Sequence, residues 1–240
     1  MANTQATHYN DDDIQILEGL EAVRKRPGMY IGSVDSRGLH HLIWEIVDNA
    51  VDEALAGYGK EITVKVLKDN SVEVIDNGRG VPTGMHKSGR PTAEIVYTKL
   101  HAGGKFSSNG GYKVAGGLHG VGGSVVNALS EFMDVTIYRD NKVYQICFEK
   151  GGKIKTPLHE LNVPCSKKSG TTVHFKPDKT LFTTSSFSHT VIVERLRETA
   201  FLMPGISFVF IDEAINKKEV FCYENGIVEF VKYNTENKVR

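Results

Sequence analysis

Apolar residues in this chain recur with two periods, and the switches between them mark its elements. From Ile14 to Lys25, Ile14, Leu17, Leu20 and Val23 keep helical spacing, which the segment Arg26–Gly32, with one proline and two glycines, is expected to interrupt with irregular backbone. Between Gly38 and Gly57 the stripe Leu39, Leu42, Ile43, Ile46, Val47, Ala50 and Ala54 predicts a long amphipathic helix. The period then drops to two. Ile62, Val64 and Val66, a turn at Asp69–Asn70, and Val72 and Val74 predict an antiparallel hairpin. Short helices are expected over Ala93–Leu100 and Val121–Ser130, and a longer one over Ser188–Leu202. Strands are expected over Phe132–Tyr138, Lys142–Glu149, Thr171–Lys176, Ile206–Ile211 and Val220–Tyr223. This order predicts an α+β fold, a two-layer sandwich with helices on one face of a mixed, mostly antiparallel sheet.

The polar side of the long helix changes the picture. At about 100° per residue, His41, Glu45, Asp48, Asn49 and Asp52 lie together opposite the apolar stripe. No Lys or Arg occurs between Gly38 and Gly57 to pair with Glu45, Asp48, Asp52 and Glu53. Such carboxylates are either simply solvated or face a cation from elsewhere. Asp76 ends the second hairpin strand and opens the loop Asp76-Asn77-Gly78-Arg79-Gly80-Val81-Pro82. There a carboxylate is either a turn former or a specificity group in a pocket. His101–Ser124 holds nine glycines in 24 residues, too many for a regular element, and is expected to form a flexible flap. It runs into a helix start, where free N–H groups and the helix dipole favour a phosphate.

Composition narrows the class. At 240 residues with a formal charge of zero, the chain has no global field to draw it onto nucleic acid or an acidic membrane. Cys147, Cys165 and Cys222 lack paired spacing, which fits reduced thiols in the cytoplasm. No apolar run reaches membrane-spanning length. The Gly-Lys pairs at 59–60, 104–105 and 152–153 are followed by Glu, Phe and Ile, so there is no P-loop. Residues 120–125 narrowly miss the dinucleotide fingerprint.

Glu45-Ile46-Val47-Asp48-Asn49, Asp76-Asn77-Gly78-Arg79-Gly80 and Gly116-Gly117-Leu118-His119-Gly120-Val121-Gly122 resemble, in order, the nucleotide-binding motifs of the GHKL ATPases. That superfamily comprises gyrase, the large heat-shock chaperone, histidine kinases and the mismatch-repair ATPase, and shares the Bergerat fold. Gly170-Thr171-Thr172 matches a fourth motif. Gly19–Gly32 and His101–Phe106 are similar only to the B subunits of bacterial type II topoisomerases, against a histidine kinase. Residues 83–92, Phe175-Lys176-Pro177-Asp178 and Arg195–Leu202 look closer to the topoisomerase IV branch than to gyrase.

The resemblance implies roles for individual residues. Glu45 would be the general base that activates water, with His41 holding its carboxylate in place. Asn49 would ligate Mg²⁺. Asp76 would accept a hydrogen bond from the adenine amino group, with Thr171 on the same edge. Arg79, Gly80 and Pro82 would flank the base, and Arg139 would line the pocket mouth, where it would also meet aminocoumarin-type inhibitors. Lys105, Tyr112 and the backbone of Gly117, Leu118, His119, Gly120, Val121 and Gly122 would close over the phosphates of ATP. Tyr9, in an arm spanning 1–13, would reach into the site of a second copy. Residues 14–225 would form the ATPase domain, and 226–240 the start of a connection to a transducer domain. That domain would supply a lysine to the γ-phosphate, so turnover by this chain alone is expected to be weak. Two copies would close on ATP as a gate that captures DNA. The strand-cleaving tyrosine would come from a topoisomerase A-type subunit. The alternatives are the gyrase B domain and a non-catalytic nucleotide-gated clamp of the same fold.

Overall fold

A computed structural model describes residues 18–102 and 120–236. Helix α1 (Gly19–Lys25) is followed by a one-turn helix α2 (Gly28–Ile31) and the long helix α3 (Ser36–Leu55). The hairpin strands β1 (Glu61–Val66) and β2 (Val72–Asp76) come next, then α4 (Thr92–Thr98) and α5 (Gly122–Ala128). Strands β3 (Ser130–Arg139), β4 (Lys142–Glu149), β5 (Lys153–Leu161) and β6 (Gly170–Pro177) precede α6 (His189–Leu202). Strands β7 (Ser207–Asp212) and β8 (Lys217–Phe221) and helix α7 (Ile227–Glu236) complete the described chain.

The eight described strands form one sheet in the order β5-β4-β3-β6-β2-β1-β7-β8. Among them only the β1–β7 pair is parallel; every other pair is antiparallel. Register aligns the inward side chains across strands: Val64 sits beside Val74 and Phe210, Val74 beside Val173, and Val173 beside Val135. All five are buried. The alternate positions Lys65, Glu73, His174 and Asp134 line the other, polar face. Helices therefore cover one face, as the period-two pattern predicts.

Helix α3 packs on β1 and β2 and touches α5. Its start is capped by Asp35, whose Oδ1 accepts from Arg37 N at 2.9 Å, satisfying one of the free donors of a helix end. Leu39, Leu42, Ile43, Ile46, Val47 and Ala50 are buried as expected, but so are His40 and Asp52. The imidazole of His40 spans two elements. Its Nδ1 donates to Ser36 O (2.6 Å) and its Nε2 accepts from Ser188 N (2.9 Å), tying α3 to the start of α6.

Two expectations need correction. Arg26–Gly32 is not wholly irregular: it contains α2, because Pro27 (φ −59°) suits a helix start and its missing N–H is one no helix start needs. Gly32, at φ 79°, ends that turn. Strand β5 was not expected, and it lies at the sheet edge, where Pro157 is tolerated and its pairing with β4 shifts register twice. Residues 227–236 form a helix packed on α6, with Phe201 stacked on Tyr223 at 3.9 Å and near Phe230 and Tyr233.

Candidate functional site

The side chains at 41, 45, 49 and 53 of α3 recur every fourth residue, forming a slowly turning ridge about 18 Å long at 1.5 Å per residue. At its first end His41 Nε2 lies 2.9 Å from Glu45 Oε1, both groups being partly exposed. This hydrogen bond raises the His41 pKa above its ordinary value. The start of α5 presses against the same carboxylate. A Cβ at Gly122 would collide with Glu45 Oε2, so a larger residue there would push this carboxylate aside.

At the other end Glu53 is not simply solvated. It accepts from Arg79 Nε (3.0 Å), Nη2 (2.9 Å) and backbone N (3.0 Å), a two-pronged pair that fixes the guanidinium plane. The Arg79 guanidinium also lies 4.2 Å from the centre of the Tyr58 ring. Of the acids on this helix, Glu53 thus faces a cation supplied by the loop after β2. Asp52 is fully buried, so it does not belong to the solvated side where helical spacing placed it.

Between β2, β6 and α3 a cleft of about 390 Å³ opens, with Asn49, Asp76, Arg79, Gly80, Pro82, Gly120, Gly122, Arg139 and Thr171 on its walls. Ile46, Ala50, Val74, Val96, Tyr97 and Val173 supply an apolar floor. Asp76 closes a turn and also lines the cleft. Its Oδ1 accepts from Gly78 N (2.8 Å), the turn-forming bond, and from Thr171 N (3.2 Å), 95 positions away. Burial pushes the carboxyl up to about 6. Gly170 stands in this corner at φ 142°, where a Cβ would strike Asp76 O. Arg139 Nη1 donates to Gly80 O at 2.8 Å, which pins the arginine to the rim.

The structure therefore brings Asn49, Asp76, Arg79, Gly80, Pro82, Arg139, Thr171, Gly120 and Gly122 to one cleft, with the His41–Glu45 pair beside Gly122. Val121 stands just before α5. Tyr9, Lys105, Tyr112, Gly117, Leu118 and His119 lie outside the described residues. Sequence reading missed Glu53 as the partner of Arg79 and Tyr97 as a wall of the cleft. The missing base on α3 was the available signal for Glu53. Tyr97 carried none, because its position on α4 reads equally well as core.

A family model described as histidine kinase-, DNA gyrase B- and HSP90-like ATPase matches residues 34–181, more than half of the chain. The chain belongs to this ATPase family. The B subunit of DNA topoisomerase 4 from Bacillus subtilis (strain 168) is 61% identical over 238 residues, covering 99% of this chain and 36% of that protein. Its counterpart in Enterococcus faecalis (strain ATCC 700802 / V583) is 59% identical over 240 residues, covering 99% and 35%. The chain thus spans about a third of the length of the curated relatives it matches. A crystal structure of the 43K ATPase domain of Thermus thermophilus gyrase B in complex with an aminocoumarin aligns with a TM-score of 0.79 at 43% identity. That alignment covers 89% of this chain and 54% of the other. The α+β fold and the resemblance to topoisomerase IV B subunits are borne out. Among the described residues no helix is long and apolar enough to cross a membrane.

Proposed function

We propose that this chain is the ATP-binding and ATP-hydrolysing domain of the B subunit of a topoisomerase IV. The observation that carries the reading is the α3 ridge: a carboxylate–imidazole pair at one end, an amide in the middle and a braced arginine at the other, beside a cleft with a buried acceptor. Asp76 accepts the adenine amino hydrogen, and Thr171 meets the same edge of the ring. Arg79 and Pro82 flank the base, and Arg139 stands at the mouth. Glu45 takes a proton from the attacking water while His41 fixes the orientation of the carboxylate. Lys105, Tyr112 and the backbone from Gly117 to Gly122 close over the phosphates.

The donor set fits Mg²⁺. Among the described residues no group of three His, Cys, Asp or Glu side chains could cage a metal. A magnesium ion that keeps phosphate oxygens and waters needs only a donor such as the Asn49 amide oxygen. When bound, it neutralises charge on the triphosphate.

In the whole protein this site would drive closure of two copies, with Tyr9 of one arm reaching the other site. That motion would serve DNA strand passage with a cleaving A-type subunit in the cytoplasm. The solved gyrase B neighbour favours a second reading, the gyrase B domain. On either reading Arg139, at the mouth of the cleft, would meet an aminocoumarin. Titration calorimetry with ATP and Mg²⁺ tests the site: saturable heat at one site per chain is expected, and its absence contradicts the reading.

A further inference from the structure

After α3 the chain turns through Gly57-Tyr58-Gly59 and re-enters the sheet at β1. Both glycines adopt left-handed backbone, φ 89° and 81°, and Tyr58 N closes the turn on Glu53 O at 2.9 Å. Gly59 lies so close to the Asn77–Gly78 backbone that a Cβ would come within 2.7 Å of Asn77 C and O. The turn is thus pressed against the very loop that carries Arg79. Beside this contact the Tyr58 ring, 45% exposed, lies on the guanidinium at 4.2 Å from the ring centre. Arg79 is consequently held twice, in its plane by Glu53 and across its face by Tyr58. A guanidinium with one face on a ring and its edge on a carboxylate has lost the freedom that an arginine at a pocket wall otherwise keeps.

We infer that Tyr58 is a positioning residue for base binding: its ring backs Arg79, so that the guanidinium is pre-set as a flat wall for a planar nucleobase. The inference rests on the reading of the cleft as an adenine-nucleotide site. It accounts for an exposed aromatic ring that no core packing explains. Ordering Arg79 before the ligand arrives removes a cost otherwise met on binding.

The test is ATP affinity by titration calorimetry with Mg²⁺, for the native chain, Tyr58→Phe and Tyr58→Leu, each also combined with Arg79→Gln. Tyr58→Leu should weaken ATP about two- to fivefold, the worth of a cation–π contact at an exposed site. Tyr58→Phe, which keeps the ring, should stay within about twofold. In the Arg79→Gln background the leucine substitution should add nothing, since the group it orders is gone. Thermal unfolding run in parallel should show all variants folded, and a Tyr58→Leu effect confined to melting with ATP affinity intact overturns the inference. So does an affinity loss that persists at full size beside Arg79→Gln. Were the native chain to take up no ATP at all, the nucleotide reading would fall first and the role of Tyr58 with it.

Discussion

The two ends of the α3 ridge are built on opposite physical terms. At the proposed base end the polar side chains are tied across the chain: Glu53 to Arg79, Asp76 to Thr171 as well as to nearby Gly78, Arg139 to Gly80. At the proposed hydrolytic end Glu45 has His41 on its own helix, and the pair stays partly open to solvent. On the proposed function the difference would separate two tasks. Recognition of a flat base needs fixed walls and a desolvated acceptor, where a wrong partner leaves a buried group unpaired. A general base needs access to water and a tunable proton affinity.

The sharpest way to break this comparison is at Glu45. Glu45→Gln should lower ATP hydrolysis by about 10²- to 10⁴-fold, the usual worth of a positioned base. ATP affinity should stay within about threefold, because the glutamine leaves the base end untouched. Single-turnover hydrolysis and calorimetry on the same preparations check it, and equal losses in both would merge the two ends.

Asp76→Asn should act in reverse. Its amide presents a donor where a charged acceptor stood, so ATP affinity should drop by about 30- to 150-fold, equivalent to about 2–3 kcal/mol. The same change should stabilise the unliganded fold. Because burial raises the Asp76 carboxyl from 3.8 to about 6, this group favours folding fully below 3.8. That contribution is lost as pH rises through 6. At pH 7.5 the charged form therefore costs at most about 3 kcal/mol, less because the cleft side of the carboxyl is open. Asn keeps an acceptor for Gly78 N and Thr171 N without that cost. A rise in melting temperature beside a loss of binding is the expected pair of results; a fall in both would make Asp76 a structural residue.

These two residues also show how much was legible in the chain. The α3 stripe, the β1–β2 hairpin and the glycine-flanked loop after Asp76 follow from local period and turn chemistry, and the fold class follows from their order. What stayed hidden needed distance in space rather than along the chain. The family resemblance set Thr171 and Asp76 on one base edge but not the direct bond between them, which spans 95 positions. The arginine that answers Glu53 sits 26 positions on. Asp52 is fully buried although helical spacing puts it on the polar side, so the apolar stripe does not mark the whole buried surface of α3. Strand β5 escaped because Pro157 and its exposed lysines read as loop, a pattern that only a sheet edge tolerates.

The smallest expected effect sharpens the hydrolytic end. The hydrogen bond to Glu45 raises the folded-state pKa of His41. The pair therefore adds stability below about 6.5 that fades as pH climbs through the raised value. Partial exposure limits this to under about 1 kcal/mol. Proton NMR titration of the His41 ring should show the raised value, and Glu45→Gln should bring it down; an unmoved value would mean that the two side chains do not pair in solution.

Every role proposed for these residues depends on the cleft beside Asp76 being an adenine site, and base discrimination tests that directly. Adenine offers an amino donor where guanine carries a carbonyl acceptor, so a fixed carboxylate should accept one and repel the other. Calorimetric titration with ATP and with GTP, each with Mg²⁺, is predicted to show ATP binding at least about 100-fold tighter. Equal affinity for the two nucleotides would contradict it.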